Sequence, residues 1–203
     1  MNEGGKYLVF CGIGGCGKDE QCGRTEKYLL GLGRDVLVTR EHTRDTPPGA
    51  LIEEIIKKRQ QQIDPLALQL LYTSDRRNHD MTIIRPNIEL GKVVLGNRSY
   101  PTTVAYCPPE WRRVILELNQ AVVTRPDLVM VIDVDPVIAA KRVEGRGDAD
   151  IFDTAKRLEK CRTGYEWYRD NSGDPCAWID GSGTKEEVFK RVLNEIKVRG
   201  LLK

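Results

Sequence analysis

Residues 7–19 read Tyr7-Leu8-Val9-Phe10-Cys11-Gly12-Ile13-Gly14-Gly15-Cys16-Gly17-Lys18-Asp19. The first five favour an extended strand that is buried on both faces. Gly12 to Lys18 then match G-x-x-x-x-G-K, followed by a stretch that can be helical. Between a strand and a helix, this spacing builds a loop that cradles phosphate. Glycines allow backbone N–H groups to converge on an anion. The helix N-terminus adds partial positive charge, and Lys18 adds a full one. Gly12, Ile13, Gly14, Gly15, Cys16, Gly17, Lys18 and Asp19 are therefore the candidate ATP-binding set. A Ser or Thr whose hydroxyl reaches Mg²⁺ usually follows the lysine. Here it is Asp19. Two readings stand: the carboxylate serves the metal, directly or through water, or it repels the triphosphate.

Outward from this loop, β-branched runs alternate with helical stretches. Asp35–Thr39, Lys92–Leu95, Leu128–Val134 and Cys176–Ile179 are further strand candidates. Asp64-Pro65 is a helix start, with Asp as cap and Pro in the first turn. Pro108–Val123 reads as a helix, with Trp111, Ile115, Leu118 and Val122 recurring three or four apart, and Thr184–Val198 as the last, with Val188, Val192 and Ile196. Strand–helix alternation predicts an α/β fold with a five-stranded parallel sheet joined by right-handed crossovers. Val143–Asp153 (VEGRGDADIFD) is glycine-rich and charged, and reads as a mobile surface segment, or lid.

The chain has 203 residues, 32 Lys and Arg against 30 Asp and Glu, and a net charge of +2. The length suits one domain, and the balance implies neither a nucleic-acid nor a membrane partner. No apolar run approaches a membrane span and the N-terminus carries no apolar leader, so the expected location is cytoplasmic. The six cysteines (Cys11, Cys16, Cys22, Cys107, Cys161 and Cys176) form no C-x-x-C pair. They read as reduced packing residues rather than zinc ligands or disulfides. Trp111, Trp167 and Trp178 read as packing residues, and His42 and His79 match no catalytic arrangement.

Taken in order, FCGIGGCGKDEQ, Thr39-Arg40-Glu41, Leu71-Tyr72-Thr73-Ser74-Asp75-Arg76, Asn97-Arg98-Ser99, the Asp127-Leu128 to Asp135-Pro136 stretch and Ile179-Asp180-Gly181 resemble the thymidylate kinase family, from about Tyr7 to Glu195. The resemblance implies a P-loop kinase three-layer fold with helices on both faces and the first strand central. It implies ATP with Mg²⁺, a nucleoside monophosphate acceptor with dTMP favoured, and a homodimer. Arg40, Tyr72, Arg76, Arg98, Thr102 and Tyr106 fall at the acceptor site, with Tyr72 where an aromatic ring stacks on the base. Lys18, Arg98, Arg142 and Arg146 are the implied catalytic cations, the last two from the lid, with Arg157 a further candidate. The sequence departs from the family pattern at Gly14 (usually acidic), Asp19 (usually Ser or Thr), His42 (usually Pro), Asn97 (usually Asp) and Ser99 (usually aromatic). Two alternatives remain open: a kinase for another pyrimidine monophosphate, and a nucleotide-binding protein of the same fold with weak or lost transfer.

Overall fold

The computed structural model describes residues 4–57, 63–145 and 154–201. Five strands, β1 (Lys6–Cys11), β2 (Val36–Arg40), β3 (Val93–Asn97), β4 (Leu128–Asp133) and β5 (Cys176–Asp180), form one parallel sheet in the order β2-β3-β1-β4-β5. β1 is central, with β3 and β4 beside it. Every residue of β3 is buried, as is Leu128–Ile132 of β4, so the apolar runs in the sequence are strands covered on both faces. β3 runs past Leu95 because Gly96 and Asn97 still pair with β1 and β2, and glycine is tolerated at 96 because a Cβ would stand 3.0 Å from the Tyr7 ring.

Helices α1 (Lys18–Gly31), α2 (Pro47–Lys57), α3 (Pro65–His79), α4 (Arg85–Glu89), α5 (Tyr100–Tyr106), α6 (Arg112–Val122), α7 (Pro136–Glu144), α8 (Ala155–Asn171) and α9 (Lys185–Val198) connect the strands. α1 packs on α9, and α5 packs on α6 and α8, which gives a helical layer on each side of the sheet. Asp64 caps α3 by accepting from the Ala67 amide, and Thr184 closes a capping box with Glu187. A π-helical turn, Asp80–Ile84, joins α3 to α4.

Short sequence signatures have local physical causes. Asp127 accepts from the Tyr7 amide at 2.8 Å while its own amide bonds the Tyr7 carbonyl, which fixes β4 against β1. Asp135 caps α7 by accepting from the amides of Val137 and Ile138. Asp174 gathers the hydroxyls of Tyr100 and Tyr168, each at 2.6 Å, with Arg125 at its other oxygen.

Two expectations need correction. The Pro108–Val123 stretch begins as a 3-10 turn, Pro109–Trp111, and only then becomes α6. Its apolar stripe is split. Trp111, read as a packing residue, and Leu118 are 41 and 36 % exposed, as is neighbouring Val114 at 51 %, whereas Ile115 is fully buried and Arg112, Leu116 and Asn119 face inward with it. The cause is the neighbour: α3 turns polar Thr73 and Arg76 toward α6, and Asn119 is needed to satisfy them. The cysteines are all free. Burial pushes the thiols of Cys11 and Cys107 up to about 11, which suits packing better than reactivity.

No helix among the described residues is long and apolar enough to cross a membrane. The lid expected over 143–153 lies outside the described residues from position 146 onward, and so does Arg146.

Candidate active site

Every strand is parallel, so the loops that leave their carboxyl ends gather on one edge of the sheet. The glycine loop leaves β1 there. Gly12, Gly15 and Gly17 hold φ of 137°, 75° and 92°, and Gly17 caps α1 in a left-handed conformation. A Cβ on Gly15 would lie 2.3 Å from the Ala139 carbonyl, so the loop is pressed onto α7. Ile13 and Cys16 are buried and anchor it from below.

Beside the loop is a cavity of about 500 Å³. Gly15 to Gln21 line one side, and Arg142, Gly181, Gly183, Lys185 and Val188 the others. Lys18 is 5 % exposed. Burial, then the nearby Arg98 charge, holds its ammonium below the usual lysine value. Arg142 Nη1 donates to the Gly15 carbonyl at 3.3 Å, which brings a cation from α7 to the loop. Sequence reasoning did not single out the wall formed by Gly183, Lys185 and Val188. Gly181 was visible only as part of a C-terminal signature; its amide bonds the Asp133 carbonyl at 2.7 Å and ties that wall to β4.

A second cavity, of about 150 Å³, opens between β2, α3 and α5. Arg40, Tyr72, Arg76, Arg98, Thr102 and Tyr106 all line it, which unites the six acceptor residues expected from sequence. Tyr72, Arg76 and the buried Gln69 recur at helical spacing on α3, so one helix face supplies an aromatic ring, a guanidinium and an amide. Arg76 is 2 % exposed and held on three sides, by Glu41 at 2.5 Å, Asn119 at 2.7 Å and Thr103 at 2.9 Å. His42, which matched no catalytic pattern, also lines this cavity, edge-on to Tyr72 and bonded to Glu53. His79 is buried, with Nε2 2.5 Å from Thr39 Oγ1, and braces β2 against α3.

Arg98 joins the two cavities. It lines the second, lies over the Tyr106 ring at 5.9 Å, and donates to the Gly12 carbonyl of the loop at 3.4 Å. Its φ of 71° is left-handed, a conformation that costs a non-glycine residue about 1–3 kcal/mol and gathers at functional sites. The hydroxyl of Tyr165 of α8, unremarked in the sequence, lies 2.9 Å from Thr102 Oγ1 and 3.3 Å from the Gly12 carbonyl, so its one proton is shared between them and it joins the loop to α5. Only a three-dimensional contact identifies it, since it lies 153 residues from Gly12.

Asp19 and Asn97 meet between these parts: Asn97 Nδ2 donates to Asp19 Oδ1 at 2.7 Å. Burial opposes ionisation of Asp19, but Lys18, the Asn97 bond, Arg40 and Arg98 outweigh it and hold the carboxyl below its usual range. Asn97 Oδ1 is buried and meets no hydrogen-bond partner among the described residues. No cluster of three His, Cys, Asp or Glu that could hold a metal occurs among the described residues. A divalent cation here would draw most of its oxygen ligands from nucleotide phosphates and water. That is how magnesium is usually held, and one carboxylate, Asp19, suits it.

A family model described as Thymidylate kinase matches residues 10–192. Among curated proteins, the chain is 38 % identical over 149 residues to a thymidylate kinase of Leifsonia xyli, covering 70 % of each chain. It is 32 % identical over 196 residues to a thymidylate kinase of Caldicellulosiruptor saccharolyticus, covering 93 % of this chain and 94 % of the relative. A thymidylate kinase of Sulfurihydrogenibium is 29 % identical over 206 residues, across 98 % of this chain and all of the other.

Proposed function

The chain belongs to the thymidylate kinase family, and from that premise we propose that it transfers the γ-phosphoryl group of ATP to dTMP, giving ADP and dTDP. The observation that carries the reading is Arg98, which lines the aromatic cavity while bonding the phosphate loop next door. Transfer of this kind demands two phosphates brought into line and their charge offset, and little covalent work from the protein.

In this reading Lys18 and the loop amides hold the β- and γ-phosphates of ATP. Arg40 and Arg98 hold the monophosphate, one of whose oxygens attacks the γ-phosphorus as the bond to the β–γ bridging oxygen breaks. Tyr72 offers its ring face to the base. Arg76 and Thr103, fixed by their mutual bond, present polar groups to the base edge. Arg142, already on the loop, adds positive charge near the transferring group. Magnesium, which enters with ATP and would be served by Asp19, supplies further charge neutralisation. Arg146 remains a proposed lid cation on resemblance alone. The same reading places the reaction in the cytoplasm and pairs two chains through the outward apolar stripe of Trp111, Val114 and Leu118.

The test is an acceptor panel. Purified protein with ATP and Mg²⁺ is offered dTMP, dUMP, UMP, CMP, AMP and GMP, with Lys18→Ala as control. The expected result is dTDP formation that disappears in the control. Preference for another monophosphate would replace dTMP as the acceptor, and unchanged turnover in Lys18→Ala would overturn the site.

A further inference from the structure

Two positions at the heart of the site carry side chains that would be odd singly and make sense together. Asp19 stands in the first turn of α1, directly after Lys18, and Asn97 is the last residue of β3, paired in register with Phe10 of β1. The sheet therefore sets the β3 end against the phosphate loop. The 2.7 Å bond from Asn97 Nδ2 engages only one oxygen of Asp19, and that same Oδ1 lies 3.9 Å from Lys18 Nζ. No protein donor among the described residues is bonded to Oδ2, and the Asp19 side chain is 51 % exposed.

The geometry points to Asp19 as the metal-facing carboxylate of this protein, with Asn97 as the positioning residue that orients it. The inference rests on the nucleotide-kinase reading given above. Electrostatics links the two identities. Two carboxylates 2.7 Å apart would repel each other, and a neutral donor at position 97 removes that cost. An amide fits, because it is neutral and donates to Asp19. Its own oxygen, Oδ1, is buried and turned away from the cleft, so only the donor side of Asn97 serves the site. Compared with the pattern that the resemblance implies, a hydroxyl at 19 and a carboxylate at 97, the carboxylate has moved from the end of β3 to the first turn of α1. The site still holds one carboxylate and one neutral hydrogen-bonding partner, so the net charge beside the phosphates is the same.

Metal affinity tests this apart from turnover. Mn²⁺, whose free form gives a strong paramagnetic resonance signal, is titrated into protein saturated with ADP, and metal-free ADP binding is measured calorimetrically alongside. Asp19→Ala should weaken Mn²⁺ binding by about tenfold or more, a larger loss than any it causes in metal-free ADP binding. Asn97→Ala should also weaken Mn²⁺ binding although it keeps the carboxylate. Asp19→Ser with Asn97→Asp, which moves the charge across the cleft, should restore most of what Asp19→Ala loses. If Asp19→Ala does not fold, the isosteric Asp19→Asn takes its place. Wild-type Mn²⁺ affinity in Asp19→Ala, or a double variant no better than Asp19→Ala alone, overturns the inference. Wild-type protein that binds Mn²⁺ through Asp19 yet leaves dTMP untouched would remove the proposed acceptor and leave the pair standing. Wild-type protein that makes dTDP while Asp19→Ala holds Mn²⁺ normally would remove the pair alone.

Discussion

Lys18 is the residue where burial and function pull in opposite directions. Its ammonium is nearly enclosed and faces Arg98, so the empty folded protein holds that proton less tightly than an ordinary lysine with a value of 10.5. Between the depressed folded value and the unfolded value the unfolded chain binds more protons, so this group makes the nucleotide-free fold more stable as pH rises through that window. Nucleotide affinity runs the other way, because phosphate needs the charged form. ATP binding should therefore weaken on the alkaline side at a pH below that of a free lysine. Lys18→Arg, charged throughout, should flatten that limb even if it binds more weakly. Calorimetric titration of ATP across neutral to alkaline pH checks this. A Lys18→Arg profile that falls in parallel with wild type would mean another group sets the limb. Arg76 shows a different solution to the same difficulty. Glu41, Asn119 and Thr103 each accept from its guanidinium, so three of its five N–H donors are partnered within the protein and the rest stay available to a substrate.

Elements position these residues, and the 41–57 segment depends on one carboxylate to do so. Asp75, buried in α3, accepts from the Thr43 amide at 2.8 Å and from the hydroxyls of Thr43 at 2.5 Å and Thr46 at 2.6 Å. Those bonds fasten the turn that carries His42 and Arg44 past the aromatic cavity and starts α2. Asp75→Ala leaves three donors without an acceptor, each costing about 1–3 kcal/mol where it stays buried. The expected result is a raised KM for the monophosphate with little change in KM for ATP, together with faster amide exchange confined to residues 41–57. Equal losses for both substrates would mean that Asp75 supports the fold generally. The sequence displayed this residue only as part of an Asp-Arg signature, and its role became visible once α3 packed on the 43–46 turn. The glycine loop and the five strands were legible because their signals are local: spacing, apolar runs and Gly next to Lys. The inward face of α6 was not, since the polar demand of Thr73 and Arg76 overrode its apolar periodicity. Tyr165 and the 181–188 wall also depend on contacts between distant segments and leave no periodic trace.

For the molecule as a whole, the inward polarity of α3 and α6 has a counterpart outside. Leu68, Ile115 and Leu116 stay buried, but other apolar residues of these helices face outward: Leu70 of α3 is 45 % exposed, and Trp111, Val114 and Leu118 project along α6 and its leading turn. α3 packs on α6, so these side chains belong to adjoining helices, and none of them lines either cavity. An exposed apolar stripe next to a polar interior is the arrangement expected of a face covered by another chain. A second copy suits it, because a two-fold axis brings the same stripe against itself and buries both at once. The wild-type protein should sediment at twice the chain mass. Val114→Glu with Leu118→Glu should yield monomer, since it places four carboxylates at a two-fold apolar contact. Its thermal midpoint should fall and lose its dependence on protein concentration, because stability contributed by association is set by mass action. Each chain contains both cavities and Arg98, so the folded monomer should still bind ATP. Wild-type protein that sediments as a single chain would leave the stripe without this partner, and a monomeric variant unable to bind ATP would show that pairing shapes the site itself.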